Sequence, residues 1–459
     1  MPTLTMAAVA AVLIGFTLLG LRVRHTAGLD DYLTARHTQS APTLALSFLA
    51  SGMGAWILFA PPEVGAFIGP VAIAGYALGS ALPFLILGLA GPAIRRRLPH
   101  GRSLTEFAAE RFGRGFRRWV AALSALYMLC FLAAELTAIG AITGLLSGLD
   151  GRYAIVGVAL ATLIYTGLGG LRASLLTDRW QAWLLLALGL LVAIGALGLA
   201  GPAPTELNAP MPAVGTATAL GVALTLVIAV TAANLFHQGY WQRLWAARDD
   251  AALRRGALLG GVLTILVVAT LGSAGILAAM RGLDLGTPPI PFFALLSDAP
   301  GWLTLPALLL AISLVASSVD TLQNALVSLG VTEGPGLRLR SARLLSALLM
   351  IPVVGLALQE ISVLRLFLIA DLLCATAVVP LLSGLAERVS PRAAIAGAVA
   401  GLPGAVLPGV ISTGSLSGGL LAASFPAGVP TLAPFLGALV ASSAVTLALA
   451  YWRPLNRPG

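Results

Sequence analysis

The chain has 459 residues, 58% of them hydrophobic and only 10% charged. Soluble domains carry roughly a quarter charged residues, so this chain lacks the polar side chains to cover a water-facing surface, and lipid is its expected solvent. The net charge of +9 raises the question of a nucleic-acid partner, which the placement of the charges answers below.

A membrane-crossing helix needs ~20 apolar residues. In chain order, about thirteen such segments are predicted, near 4–23, 43–67, 68–94, 119–147, 153–168, 175–200, 216–241, 256–280, 302–330, 341–359, 363–386, 393–412 and 430–452. The links between them are short, so the expectation is one all-α polytopic domain, 1–459. The first segment has no positive charge before its apolar run, and arginines follow it; that order predicts a retained helix with its N-terminus outside. With that orientation, 24 of the 27 basic residues, all arginine, fall in inner loops, and only Arg152, Arg281 and Arg365 fall outside. This asymmetry is the positive-inside pattern, and it accounts for the basic charge without nucleic acid. It predicts a C-terminus inside and, with the Ala/Gly/Arg-rich composition, a bacterial cytoplasmic membrane.

Setting aside residues 1–42, the next ten segments divide into two sets of five, 43–200 and 216–386, followed by two C-terminal helices over 393–452. An odd number per half makes the halves inverted in the membrane, a plan found in secondary transporters, whose leading helices are broken. Both leading segments look interrupted. "LALSFLASGMGAWILFAPPEVGAF" (44–67) carries Gly52 and Gly54 near its middle and Pro61–Pro62 after it, and "TLVIAVTAANLFHQGYWQRLWAARDD" (225–250) carries Asn234, His237, Gln238 and Gly239. Unwound backbone at membrane depth persists only inside protein or beside a cavity.

Charged side chains within apolar segments cost ~2.5–3.5 kcal/mol each to insert and are functional candidates by default. Four stand out: Glu135, Asp178, Asp320 and Asp371. Glu63 follows the proline pair and is expected near the outer surface. In "LVASSVDTLQNAL" (314–326), Ser317, Asp320 and Thr321 fall at i, i+3 and i+4 and share a helix face, with Ser318 adjacent. Oxygen ligands without nitrogen or sulfur suit hard cations, and mostly neutral hydroxyls with one carboxylate suit a small monovalent ion. Further ligands are available from carbonyls freed at 50–54. Cys130 and Cys374 lie in apolar segments and read as small core residues. His25, His37 and His100 are in loops and His237 is in a break, with no HExxH, CxxC or P-loop. No base accompanies Ser317 as a nucleophile would require, so an enzyme is not expected.

Four stretches in order, "LDDYLTARH" (29–37), "YTGLGGLRASLLTDRWQ" (165–181), "YWQRLWAARDDAALRRG" (240–256) and "ASSVDT" (316–321), resemble the sodium/solute symporter family, which includes sodium/proline-type symporters. The resemblance implies a LeuT-type fold of two inverted five-helix repeats with peripheral helices. It implies a sodium ion held by the carbonyls of Ala50, Met53 and Leu314 and the hydroxyls of Ser317 and Ser318. It implies for some members a second sodium, whose matching positions here are Asp178, Ser317, Asp320 and Thr321. The solute is expected between the breaks, near Gly54, Ala55, Trp56, Phe131, Asn234, His237 and Gln238, with Glu135 and Asp371 available for a cationic group or a proton. Sodium/proline symporters carry an aspartate where this chain has Gly52, a departure that argues against proline itself. The expected activity is sodium-coupled symport of a small organic solute, such as an amino acid, into the cell. The rivals are proton coupling through Asp178, Asp320 or Asp371, and a solute-sensing membrane module, which a chain ending at "YWRPLNRPG" without a signalling domain disfavours. No obligate protein partner is expected.

Overall fold

The computed structural model describes residues 2–23, 28–199, 214–285, 290–296, 299–334, 338–359, 363–426 and 431–451. Arg24, His25, Arg453 and Arg457 of the loop analysis lie outside them, as does the side chain of Arg365. The helices in order are α1 (Pro2–Leu21), α2 (Leu29–Thr34), α3 (Ala41–Gly52), α4 (Ala60–Phe67), α5 (Pro70–Arg97), α6 (Leu104–Ser147), α7 (Gly151–Leu199), α8 (Thr216–Leu235) and α9 (Gln238–Ala246). They continue as α10 (Asp250–Met280), α11 (Pro291–Ala294), α12 (Gly301–Glu333), α13 (Leu339–Ala357), α14 (Val363–Leu382), α15 (Pro391–Thr413), α16 (Leu416–Ala423) and α17 (Leu432–Tyr451).

Among the described residues, ten helices are long and apolar enough to cross a membrane, and the α3–α4 pair, bent by 69°, makes an eleventh. The sequence segments at 153–168 and 175–200 correspond to the two arms of α7, which turns at Gly170 (φ 58°, ψ −145°). That backbone favours glycine, and a Cβ there would lie 2.4 Å from the Tyr32 carbonyl oxygen.

Helix starts follow capping chemistry. Ser103 accepts the Glu106 N–H, and the Glu106 carboxylate accepts the Arg102 N–H at 2.6 Å, a variant of the capping box in which the carboxylate reaches the residue before the N-cap. Asp249 Oδ1 accepts the Ala252 N–H at the head of α10.

The packing puts α12 at the centre, against α6, α7 and α3, and lays α10 across α3, α4 and α5. Helix α14 joins α6 and α8 to the outer group α15–α17, and α1 lies along α7. On the face expected to be inner, loop backbone ties the two leading segments together: the N–H groups of His37, Thr38 and Gln39 donate to the carbonyls of Trp245 and Ala246, and the Arg248 N–H donates to the Gln39 carbonyl. Side chains reinforce this: Gln242 Nε2 donates to the Leu33 carbonyl, and Arg172 pairs with Asp31 at 2.7 Å. Conversely, Val156, Leu160, Ile164, Leu258, Val262 and Leu266 are exposed at helical spacing, as a lipid-facing surface requires.

Candidate functional site

Two breaks lie in the protein interior, and side chains meet part of the backbone freed at each. In the first, α3 ends at Gly52, Met53 is extended (φ −105°, ψ 93°), and a 3-10 turn over Ala55–Leu58 leads into α4. Pro61 and Pro62 sit in the first turn of α4, where the missing N–H groups have no helical partner to lose. The Ala55 amide is met by Glu135, whose Oε2 accepts its N–H at 2.6 Å. A Cβ on Gly54 would fall 1.9 Å from Glu135 Oε1, so only glycine lets the carboxylate approach the backbone this closely. Glu135, expected as a charge partner for solute or proton, therefore caps the restarted helix, its negative charge at the positive end of the helix dipole.

In the second break, α8 ends at Leu235, and His237 (φ −75°, ψ 100°) caps α9 through Nδ1, which accepts the Gly239 N–H at 3.1 Å. The indole of Trp241 donates to the Leu235 carbonyl, and Ser124 Oγ donates to the Phe236 carbonyl. The His237 ring stacks on Tyr240 at 4.4 Å. Because Nδ1 accepts, the proton sits on Nε2, which is buried without a partner. Gln238, expected near the solute, is engaged on all sides instead: its Oε1 accepts the Leu104 N–H, and its Nε2 donates to the Arg102 carbonyl and Ser328 Oγ. Asn234 accepts the Tyr127 hydroxyl at 3.1 Å.

The residues expected at the sodium site are gathered where α12 crosses the first break. Ala50, Met53, Leu314, Ser317 and Ser318 are all buried, and α12 packs on both α3 and the 3-10 turn. The Ala50 carbonyl keeps only a bond from the Met53 N–H at 3.2 Å. Ser317 donates to Asp178 Oδ1 at 2.7 Å, whereas Ser318 Oγ is fully buried with no hydrogen-bond partner. An orphaned hydroxyl in a protein interior costs free energy unless something unseen meets it, and beside a broken helix an oxygen-seeking cation fits.

Below this lies a second polar cluster. Asp178 accepts Ser47 at 2.6 Å and Arg243 at 3.0 Å on Oδ2. Arg243 also bonds Ser47 Oγ, Thr321 Oγ1 and the Gly239 carbonyl. Both ions are fully buried. Asp320 is enclosed by hydroxyls: Tyr165 and Ser174 at 2.6 Å, Thr177 at 3.1 Å and Thr321 at 3.4 Å. The four positions expected around a second sodium, Asp178, Ser317, Asp320 and Thr321, are thus brought together, but a guanidinium stands among them. Sequence analysis assigned Arg243 to an inner loop; the structure seats it in the core. The signal available was its place at i+4 from Gly239, inside the interrupted stretch.

The remaining expected residues form an aromatic wall. Trp56 stacks on Tyr76 at 5.4 Å, and Phe131 packs against Tyr127 at 5.9 Å and Phe367 at 5.3 Å. Asp371 on α14 is half-buried, and its Oδ1 has no hydrogen-bond partner.

Residues 32–284 match the model of the sodium:solute symporter family. The chain belongs to this family. It is 30% identical over 363 residues, 78% of its length and 70% of the relative's, to the spermidine transporter DUR31 of Candida albicans. Among solved structures, it superposes on a substrate-bound, outward-open Na+-coupled sialic acid symporter with TM-score 0.74 at 17% identity, covering 96% of this chain and 97% of that one. It superposes on an inward-facing Mhp1 with TM-score 0.59 at 18% identity, covering 93% and 94%. These likenesses establish a LeuT-type fold. This symporter-family chain is a multi-pass membrane transporter and not an enzyme.

Proposed function

We propose that this symporter-family protein couples inward movement of sodium to uptake of a small organic solute. The observation that carries the reading is the buried, unpartnered hydroxyl of Ser318 beside the break at Met53–Gly54. In this reading the carbonyls of Ala50, Met53 and Leu314, with Ser317 and Ser318, hold one sodium. The solute sits between the breaks, against Trp56, Phe131, Asn234 and His237. Ion and solute enter from outside, the outer side closes over them, and both leave inside, with 43–200 and 216–386 working as the two inverted repeats. A second sodium near Asp178 and Asp320 requires Arg243 to leave its present position, so one ion per cycle is the simpler reading. One sodium moving down a 100 mV potential and a tenfold gradient supplies ~3.7 kcal/mol. That sustains a ~500-fold accumulation of a neutral solute. Of solute classes, an organic cation gains support over an amino acid from the relative's spermidine specificity. The arginine asymmetry supports a cytoplasmic membrane with the N-terminus outside.

The test is the melting temperature of purified protein in detergent as sodium replaces choline at fixed ionic strength. A ligand bound only by the folded state stabilises it by RT ln(1 + [L]/Kd). A saturable, sodium-specific rise is expected, and Ser318→Ala should abolish it. A rise as the pH falls, with none from sodium, would favour proton coupling through Asp320 or Asp371, which have no ion pair among the described residues.

A further inference from the structure

The sodium reading leaves Asp371 without a task. Its Oδ1 is shielded from solvent yet accepts no hydrogen bond, and none of the ion pairs among the described residues includes it. A carboxylate at this depth is costly unless a cation compensates it, and Asp371 sits on α14, which packs on α6, α8, α15 and α17 rather than at the α3–α12 crossing. Its surroundings include aromatic rings. Phe367, one turn before it on α14, packs on Phe131 at 5.3 Å, Phe131 packs on Tyr127 at 5.9 Å, and Trp56 stacks on Tyr76 at 5.4 Å. Ring faces attract organic cations, tryptophan most strongly, and the same faces bury methylene chains. A second carboxylate lies on α4, which packs on the helix of Tyr76 and on the turn of Trp56. Glu63 is half-buried and has no ion pair among the described residues. Two unpaired acids on helices that carry or pack against one set of aromatic rings match a flexible chain with more than one cationic nitrogen better than they match a zwitterion, which has one.

We propose that Asp371 anchors an ammonium group of the solute against the Trp56–Tyr76–Tyr127 rings, and that the transported solutes are linear amines bearing two or more cationic nitrogens. This rests on the symport reading for the location of the solute, not for the identity of the ion. Asp371 contributes the charge-assisted hydrogen bond, the rings hold the methylene chain, and Glu63 meets the far ammonium.

The test uses the full-length protein in detergent and in proteoliposomes, with spermidine and putrescine as probes and proline as the zwitterionic control. In wild type, both amines should raise the melting temperature and be taken up, and proline should do neither. Asp371→Asn should weaken spermidine binding by at least ~tenfold while keeping the sodium-dependent rise in melting temperature. Asp371→Glu should recover part of the affinity. Glu63→Gln should weaken spermidine more than a monoamine such as butylamine. If Asp371→Asn fails to fold, Trp56→Leu, at a half-buried position, replaces it and should lose spermidine affinity alone. Unchanged spermidine affinity in Asp371→Asn, or uptake of proline and not of amines by wild type, would overturn the proposal. Loss of the sodium effect in wild type with amine binding intact would instead defeat the sodium reading and leave this one standing.

Discussion

At the scale of single residues, the Asp178–Arg243 pair separates two roles a buried acid can have. Asp178 accepts three hydrogen bonds, from Ser47, Ser317 and Arg243 on three helices, so its charge is met by protein. Removing one member of a buried ion pair leaves the other uncompensated and costs ~3–5 kcal/mol, whereas replacing both with apolar residues of similar volume is often near neutral. Asp178→Ala should therefore lower the melting temperature sharply, and Asp178→Leu with Arg243→Met should recover much of it. A double variant no more stable than the single one would assign the network a role beyond charge pairing. Ser318 is the contrary case: Ser318→Ala removes a hydroxyl with no protein partner, so without sodium the variant should melt like wild type. Only the sodium-dependent part should vanish.

At the scale of elements, the first break is held open from outside itself. Met53 and Gly54 lie between the two helical pieces, and the amide of Ala55 depends on the Glu135 carboxylate on α6. Leaving a buried donor unmet costs ~1–3 kcal/mol. Gly54→Ala would drive a methyl into Glu135 Oε1 and should cost at least that much, reducing both melting temperature and transport. Glu135→Gln keeps an oxygen acceptor and should be milder than Glu135→Ala; equal losses in the two would mean that charge against the helix dipole, not the hydrogen bond, does the holding. The turn at Gly170 is the second hinge-like element. Its positive φ and the 2.4 Å approach to Tyr32 make Gly170→Ala unfavourable twice over, by ~1–2 kcal/mol of backbone strain and by displacement of the "LDDYLTARH" loop.

At the scale of the whole molecule, charge decides orientation and energetics. If the arginine-rich loops face inward, Arg96→Cys, exposed at the end of α5, should react with a membrane-impermeant maleimide only after cells are opened. Arg152→Cys, exposed at the start of α7, should react in intact cells. The reverse pattern would invert the topology. A cationic solute adds its own charge to the cycle, and each charge crossing 100 mV is worth ~2.3 kcal/mol. Spermidine uptake into proteoliposomes should thus steepen with an imposed inside-negative potential more than sodium coupling alone provides; uptake indifferent to potential would mean that the charge is compensated by counter-movement.

The sequence by itself determined the solvent, the helical class, the places where helices break and the family. Those follow from local properties: apolar runs long enough to span, arginines confined to alternate loops, glycines and prolines that cannot continue a helix, and a serine–aspartate face at helical spacing. Tertiary structure alone decided which acids are already paired. Glu135, Asp178, Asp320 and Asp371 look alike along the chain, each a carboxylate in an apolar run. One caps a broken helix, one pairs with an arginine from another segment, one is wrapped in hydroxyls, and Asp371 Oδ1 is left without a hydrogen bond. The difference is set by partners 65 to 155 positions away, and spacing along one helix carries no information about what another helix brings to meet it.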